Sequence, residues 1–265
     1  IAAGLRQLPI LAQFWRLTPL QHAEEREKFS TWSAEFNHDA SKVLTASGEL
    51  GGTVGDARIW DSKTGAVSSS FHHDDERMSY ATFSPDGTLV ATASVSLDAK
   101  KGQVRLWDAT TSQELNRFEH EKGGVNYVAF SANGRYLVMA SGTPEAEAGE
   151  VQVWDSENQT LRHLDHPGPV NHAAFSPDNA HLVTACECVG GSEGLAQVWN
   201  LENGSHEPVK KMHHRGPVNR AEFSWNGRWI VTASGAQGAE EGEAQLWEAE
   251  KSEGEVWGWR NGTYR

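Results

Sequence analysis

The stretch Phe83-Ser-Pro-Asp-Gly-Thr-Leu-Val-Ala-Thr-Ala-Ser94 contains the signals that decide the fold. Its Ser-Pro-Asp-Gly portion is typical of a tight turn, because Pro presets one backbone dihedral angle and Gly accepts a left-handed conformation. The apolar run that follows is short, and it predicts a β-strand. A similar turn and run occupy Phe223–Ser234. The quoted stretch is therefore one copy of a repeat.

Two aromatic markers keep the period of this repeat. A phenylalanine recurs at steps of 47, 47, 45 and 48 residues, and a tryptophan recurs at the same four steps. The markers are Phe36, Phe83, Phe130, Phe175 and Phe223, and Trp60, Trp107, Trp154, Trp199 and Trp247. Two independent markers with one rhythm indicate five copies of a single structural unit.

Each copy predicts four short strands. Segments such as Val104–Asp108 alternate apolar and polar side chains, which is the pattern of a half-buried strand. A second turn, such as Asp61–Gly65, leads to a fourth strand that ends near a histidine. Four strands in about 45 residues form one propeller blade, and stacking blades face to face buries their apolar side chains. The predicted fold class is therefore all-β, a β-propeller of four-stranded antiparallel blades.

The Trp-Asp pairs that begin at Trp60, Trp107 and Trp154 give the chain a resemblance to the WD-repeat family. Trp199-Asn200 and Trp247-Glu248 are variants of the pair. The resemblance covers about residues 31–257 and implies a ring of blades around a central channel. It also implies a buried hydrogen-bonded set that contains a His, a Ser or Thr, an Asp and the Trp. The matching residues are His22, His73, His120, His166 and His214, with Thr45, Thr92, Thr184 and Thr232.

The chain departs from the family pattern in this buried set. The acidic member would lie six residues before each Trp, where the five residues are Val54, Lys101, Ala148, Glu193 and Glu241. In the third copy Met139 replaces the hydroxyl residue. A buried histidine still needs hydrogen-bond partners. We therefore expect backbone carbonyls or Thr hydroxyls to serve the histidines.

The loops between the second and third strands are long in all five copies, and three of them carry clusters of glutamates. The resemblance implies that these loops share one face of the ring. We therefore predict a negative binding face and a basic protein or peptide partner. The loop carboxylates are those of Glu145, Glu147, Glu150, Glu187, Glu193, Glu240, Glu241 and Glu243.

Trp225 is a second candidate for binding, because Trp is an unusual residue in a turn. Exposed Trp side chains are enriched at interface hot spots, so Trp225 is a candidate anchor for a partner. The alternative is local packing against Trp229. Trp257 and Trp259 raise the same question near the end of the chain.

The predicted domain organisation is a divergent N-terminal segment, residues 1–30, followed by a propeller over residues 31–265. The family ring usually has seven blades, and the chain begins at Ile1 rather than Met. Either the five blades are part of a larger ring, or five blades close a ring with the help of the N-terminal segment. Val256–Trp259 is expected to be the fourth strand of the last blade. The predicted blades span about residues 31–71, 72–119, 120–165, 166–213 and 214–260.

Composition excludes several function classes. The chain has 265 residues, of which 36 are acidic and 23 basic, and its net charge of −13 is a poor fit to nucleic-acid binding. No apolar run reaches the roughly 18–20 residues of a membrane span. The two cysteines cannot form a disulfide framework and suit a reducing compartment, so we expect a cytoplasmic protein.

Three local patterns could carry other chemistry, and each has a simpler explanation. The residues at 72–75, His-His-Asp-Asp, are types that bind metals, but His73 is also a repeat position. Cys186 and Cys188 lack the C-x-x-C spacing of redox sites, and Cys186 replaces a strand-end Ser. Lys210–Arg215 is the most basic stretch and fits a solvated strand end. We therefore predict no metal and no cofactor.

The predicted function is a non-catalytic scaffold for protein–protein interaction. No G-x-S-x-G elbow, H-E-x-x-H motif or phosphate-binding loop occurs in the sequence. Its Ser and His residues recur at repeat positions, whereas an active site needs residues that occur once. Two alternatives stay open. One is a regulatory or sensor module joined to upstream NTPase or kinase domains of a signalling protein, an analogy of fold alone. The other is a hydrolase built on a propeller.

Overall fold

The strands of this chain form five antiparallel sheets, and each sheet takes its strands consecutively from the sequence. The computed structural model describes residues 29–49, 55–73, 76–96, 98–143, 148–188, 193–235, 242–249, 255–260 and 263–264. In these ranges the regular structure is entirely β-strand. None of the residues in them belongs to a helix long and apolar enough to cross a membrane.

The first three sheets have four strands each. Their strands are β1 (Phe29–Phe36), β2 (Lys42–Glu49), β3 (Gly55–Asp61), β4 (Val67–His73), β5 (Arg77–Phe83), β6 (Leu89–Val95), β7 (Gly102–Asp108), β8 (Glu114–His120), β9 (Val125–Phe130), β10 (Tyr136–Ser141), β11 (Gly149–Asp155) and β12 (Thr160–His166).

The fourth sheet has four strands, and the fifth has five. Their strands are β13 (Val170–Phe175), β14 (His181–Glu187), β15 (Gly194–Asn200), β16 (Lys210–His214), β17 (Val218–Phe223), β18 (Trp229–Ser234), β19 (Glu243–Glu248), β20 (Glu255–Arg260) and β21 (Thr263–Tyr264). The strand expected at Val256–Trp259 is present as β20, which pairs with β19.

Contacts between the sheets follow chain order. β2 lies against β5, β6 against β9, β10 against β13, and β14 against β17. The first strands of successive sheets also contact one another, so these strands line the centre of the array. Sheets stacked face to face around their first strands are the blades of a β-propeller. The predicted fold class is confirmed.

The turns between first and second strands form as their sequence predicts. In the second blade the Gly87 N–H donates to the carbonyl of Ser84 over 2.8 Å, and Gly87 has a φ of 70°. In the fourth blade Asn179 takes the same place with a φ of 61°. Gly and Asn adopt this left-handed conformation more readily than other residues do. The repeated turns therefore fix the same hairpin in successive blades.

The core consists of four apolar clusters, one at each boundary between successive blades. At the second boundary Val104 and Phe118 of one blade pack with Leu137, Met139 and Trp154 of the next. Equivalent clusters lie at the first, third and fourth boundaries. Both faces of an inner blade therefore contribute side chains to the core, as expected for a stacked array.

A glycine at the start of the third strand marks where the next blade comes closest. A Cβ atom at Gly149 would lie 2.1 Å from the carbonyl oxygen of Gly168, and one at Gly194 would lie 2.2 Å from that of Gly216. Both distances are well below van der Waals contact. Each of these glycines precedes a repeat Trp by five residues. The backbones of neighbouring blades therefore approach closely at these two glycines.

The two ends of the blades carry different connections. At one end the short turns meet, since Ala109 N–H donates to the carbonyl of Thr88 over 2.9 Å. At the other end the long loops between second and third strands meet the loops between blades. There Gly123 N–H donates to the carbonyl of Lys100 over 2.9 Å. We call these ends the turn face and the loop face.

The sheets begin and end slightly away from the predicted blade limits. The first blade runs from Phe29 to His73, and its histidine ends the fourth strand rather than beginning the next blade. His120, His166 and His214 also end fourth strands. Residues 1–28 of the N-terminal segment, which would help to close the ring, lie outside the described residues.

Candidate functional site

A buried chain of hydrogen bonds joins the first two blades. The indole N–H of Trp107 donates to the hydroxyl oxygen of Thr92 over 2.7 Å, and the same hydroxyl lies 2.7 Å from Nε2 of His73. His73 is in the first blade, whereas Thr92 and Trp107 are in the second. In all five blades the Trp pairs across the sheet with the residue that lies two positions before the equivalent of Thr92. The repeat histidine therefore fastens one blade to the next.

A glutamate takes the place of the missing acidic residue at this boundary. The Glu76 carboxylate lies 3.4 Å from Nδ1 of His73 and also accepts a bond from the Ser94 hydroxyl. Burial alone would raise the pKa of Glu76, but the bonds from His73 and Ser94 bring it below its ordinary value. Since the carboxylate binds the Nδ1–H, Nε2 of His73 is free to accept the Thr92 proton. Sequence reasoning missed Glu76, because it comes from the loop before the blade.

The third and fourth blades are joined in the same way with a backbone partner. Nε2 of His166 lies 2.8 Å from the Thr184 hydroxyl, which accepts the indole N–H of Trp199 over 3.0 Å. Nδ1 of His166 lies 2.9 Å from the carbonyl oxygen of Leu164 and must donate to it. Burial lowers the pKa of His166 to about 4. The histidine is therefore neutral, and its tautomer is set by the carbonyl.

Two repeat histidines differ from the expectation of a hydrogen-bonded partner. Both nitrogens of His120 and of His214 are buried without one in the described part of the chain. For His120 the reason is Met139, which stands where a Thr would accept and donate. His214 packs edge-on against Trp247 at 5.8 Å between ring centroids. At these two boundaries packing rather than hydrogen bonding places the imidazole.

The remaining repeat residues keep the Trp–Thr bond. Trp60 donates to Thr45 over 2.8 Å and Trp247 donates to Thr232 over 2.9 Å. His22, the histidine that would serve the first blade, lies outside the described residues.

Part of the predicted acidic surface lies on the loop face. Glu193 is exposed at the end of its loop, and Glu187 and Glu243 are half-buried. Glu150 is different, because it lies within β11 and is buried. Its carboxylate accepts from Gln152 over 3.0 Å and lies 2.9 Å from Nδ1 of His163. The structure therefore removes Glu150 from the exposed set, and Glu145, Glu147, Glu240 and Glu241 lie outside the described residues.

The loop face also carries a pair of lysines in the second blade. Lys101 lies 2.7 Å from the carboxylate of Glu121, and Lys100 lies 3.9 Å from that of Asp98. These contacts offset the local positive charge.

Trp225 projects from the turn face into solvent. It is 98% exposed, so the predicted alternative of packing against Trp229 is wrong. Trp229 instead lies under the guanidinium of Arg228, 5.1 Å from the ring centroid. Trp225 and the loop glutamates are therefore on opposite faces. The side chains of Trp257 and Trp259 lie outside the described part of the structure.

The described parts of these local patterns have structural roles, and residues 74 and 75 of the first pattern lie outside the described residues. His72 is exposed and His73 buried, so they point to opposite sides of β4. Cys186 is buried in the core, where burial raises the pKa of its thiol to about 12. In the described ranges no three His, Cys, Asp or Glu side chains gather as metal ligands. Both cysteines are free thiols.

The basic stretch splits along its strand. Lys211 and His213 are exposed on β16, whereas Lys210 is buried and donates to the carbonyl of Glu248 over 2.5 Å. The expected solvated strand end is therefore only half solvated. Lys210 fixes the fourth blade to the fifth, so it is not available to an anionic partner.

A cluster on the innermost strands was not anticipated from sequence. Tyr80, Tyr127 and His172 occupy the same position in three successive blades, three residues before the marker Phe. Their rings contact one another in series, with centroids 5.0 Å and 4.4 Å apart. Alignment of the repeats by their Phe residues would have revealed the set, whereas no known motif contains it.

Two family models match the chain. The model described as WD domain, G-beta repeat matches residues 158–200 and 206–248. The model described as Eukaryotic translation initiation factor eIF2A matches residues 59–149. No curated protein matches the chain significantly. Each WD match runs from the fourth strand of one blade to the Trp of the next, and in the first match this span is joined by the His166–Thr184–Trp199 bonds.

Stacked four-stranded blades, joined in part through buried His, Thr and Trp side chains, define a β-propeller of the WD type. The two matched repeats agree with this class, and so does the match to the eIF2A family. Residues 158–200 and 206–248 are therefore recognised as two WD repeats. Domains of this family generally mediate protein–protein interactions.

Proposed function

We propose that the chain is a non-catalytic interaction scaffold that binds a basic protein or peptide through its loop face. One observation carries the proposal. The long loops between second and third strands lie at the same end of the blades as the loops that join the blades, and three of the long loops bear glutamate clusters. Binding residues concentrate on loops that a rigid framework holds in place. The compartment that we propose is the cytoplasm.

The buried histidines support binding rather than catalysis. His73 and His166 each lie within hydrogen-bond distance of a threonine hydroxyl, which is the geometry of a base beside a nucleophile. Thr92 and Thr184 are fully buried, however, so no substrate reaches either oxygen. Both pairs also recur at equivalent places in the repeat. We therefore assign them a structural role.

The charge of the molecule favours a basic partner. The net charge is −13, and opposite charge on a partner speeds encounter and selects against acidic competitors. Exposed ion pairs are screened by salt over about 10 Å at 0.1 M ionic strength. Association through the loop face is therefore expected to weaken as salt rises.

Fluorescence anisotropy with a labelled lysine-rich peptide tests this function. The double variants Glu145→Gln/Glu147→Gln and Glu240→Gln/Glu241→Gln each remove two loop charges. We expect each to weaken binding roughly fivefold at low salt. The wild-type protein is expected to lose affinity steadily between ~0.05 M and ~0.3 M salt.

The control is a double variant with the same charge change elsewhere. Glu202 and Glu207 are exposed and lie near the turn between β15 and β16. Glu202→Gln/Glu207→Gln is expected to leave affinity within about twofold of wild type. Equal losses in loop and control variants, or binding that salt does not weaken, would contradict the proposed loop-face site.

A further inference from the structure

The innermost strands bring a set of aromatic and charged side chains to the centre of the array. Three residues before the marker Phe, successive blades carry Ser33, Tyr80, Tyr127, His172 and Arg220. One residue before that Phe, the first and fifth blades carry Glu35 and Glu222. Side chains two apart on a strand lie on the same side. Both levels therefore share one side of the inner strands.

The aromatic rings form a continuous wall. Tyr80 and Tyr127 are tilted by 52° with centroids 5.0 Å apart, and Tyr127 and His172 are tilted by 39° with centroids 4.4 Å apart. Both tyrosines are only half-buried. Among the described residues, no guanidinium or ammonium group lies over either tyrosine ring. Part of this wall is therefore open to a ligand.

His172 adds an acceptor without a donor. Its Nδ1 lies 3.1 Å from the carbonyl oxygen of Ala221 and must carry the proton, because a carbonyl can only accept. Nε2 is then an acceptor that points away from Ala221. His172 is 94% buried as a residue, and its Nε2 has no hydrogen-bond partner in the described structure. A buried acceptor of this kind is costly unless a donor reaches it.

The charges at this level favour a cation. Glu35 accepts the Phe83 N–H over 2.5 Å, and Glu222 holds Arg220 through Nε at 2.8 Å. Two carboxyl groups thus lie at this level with one guanidinium, and burial raises the pKa of Glu35. The Arg220 side chain is 66% exposed and is bound by its neighbour on the same strand, so it can swing aside. The level combines two carboxyl groups with aromatic faces and an unfilled acceptor.

We propose that this level binds one basic side chain, of lysine or arginine, from a partner polypeptide. The cation lies against the rings of Tyr80 and Tyr127, its charge is balanced by Glu35 and Glu222, and one of its N–H groups donates to Nε2 of His172. Aromatic faces attract cations through their ring quadrupoles. The inference rests on the proposed function and adds a specific site to the diffuse charge of the loop face.

Nuclear magnetic resonance of the full chain tests the site with a short peptide. The probe contains a single arginine among neutral residues, and its matched control replaces that arginine with citrulline, which keeps the shape and loses the charge. The imidazole nitrogens are read by long-range 1H–15N correlation, and His172→Gln assigns the signal. We expect an Nε2 without a proton in the free protein, and a shift of that signal with the arginine peptide alone.

Two substitutions test the wall while keeping the fold. Glu35→Gln retains an oxygen for the Phe83 N–H, and Tyr127→Leu retains an apolar side chain. Each is expected to weaken the arginine peptide roughly three- to tenfold. Tyr136→Leu is the control, because Tyr136 stacks on Phe175 away from this level, and it should change affinity less than twofold.

The outcomes separate this site from the proposed function. In one outcome the lysine-rich peptide binds while the arginine probe leaves the His172 signal unmoved. That result overturns the site on the innermost strands and leaves the loop-face site standing. Equal affinity of wild type, Glu35→Gln and Tyr127→Leu for the arginine probe also overturns it. Failure of both peptides to bind overturns both proposals.

Discussion

At the scale of single residues, the Thr92 hydroxyl has the most consequential position. It accepts the indole N–H of Trp107 and faces Nε2 of His73, so it serves side chains of two blades at once. Thr92→Val keeps the volume and removes both bonds. Each buried group left without a partner costs about 1–3 kcal/mol. We expect a loss of about 2–4 kcal/mol in the free energy of unfolding, measured by urea denaturation.

Thr232→Val is the matched control for this prediction. Thr232 is also fully buried and accepts the indole of Trp247, but His214 makes no bond to it. The expected loss is about 1–2 kcal/mol, because the bonds removed are the one from the indole and a long one of 3.4 Å to the Gln245 carbonyl, with no bond to a histidine. Equal losses in the two variants would show that the bond to His73 adds nothing to stability.

Some of these boundary residues could be predicted from the sequence, and others could not. The His, Thr and Trp repeat with the period of the blade, so their roles could be inferred. Glu76 occurs at one boundary only and reaches His73 from a loop. Glu150 was expected in a loop, yet it lies in β11 beside His163. Single contacts of this kind depend on how the loop closes, which periodicity does not encode.

At the scale of the elements, the glycine that begins a third strand controls how closely two blades stack. A Cβ atom at Gly149 would overlap the backbone of Gly168 in the loop that enters the next blade. Backbone cannot move aside as a flexible side chain can. Gly149→Ala is therefore expected to cost at least about 1–3 kcal/mol in the free energy of unfolding. Chemical denaturation measures it.

The fifth blade supplies the control for Gly149→Ala. A Cβ atom at Gly242 would meet the carbonyl of Ser234 at 3.5 Å, which is ordinary contact. Gly242→Ala is expected to change stability by less than about 0.5 kcal/mol. A comparable loss at both positions would mean that the glycine acts through strand flexibility instead of close stacking.

Strands and turns were the most predictable elements. Period-2 alternation and turn residues at fixed offsets specify four strands in a blade such as β5–β8. The blade limits were less predictable, because each repeat histidine ends one blade and contacts the next. A sequence repeat that spans two blades does not reveal where either sheet begins.

At the scale of the whole molecule, buried histidines make stability depend on pH. Burial lowers the pKa of four of them to about 4, and these are His120, His166, His172 and His214. An unfolded histidine binds a proton below about pH 6.5. The unfolded state therefore binds more protons between about pH 6.5 and pH 4, and stability falls as the pH falls. Above about pH 7 these groups contribute no pH dependence.

His120→Leu isolates one of these contributions. His120 makes no hydrogen bond in the described structure, so the variant removes its titration without breaking a bond. In wild type, His120 lowers the free energy of unfolding by about 1.4 kcal/mol for each pH unit of acidification between about pH 6.5 and pH 4. We expect this contribution to be absent from His120→Leu. His213→Leu, at an exposed position on β16, is the control. An unchanged pH dependence in His120→Leu would contradict the account.

The cluster of rings at the centre of the array could not be predicted from the sequence. Tyr80, Tyr127 and His172 are about one repeat apart in sequence and become neighbours only because the blades stack. The fold could be predicted from the repeat, but a site built from several blades depends on their stacking geometry.

Hydrogen–deuterium exchange with and without the lysine-rich peptide locates the surface that the peptide covers. We predict slower exchange in the loop-face segments 142–149, 187–194 and 235–242, and in the inner strand β9. We predict no change around Trp225 on the turn face. Protection confined to the turn face, or to the outer strands of the blades, would contradict a binding site on the loop face.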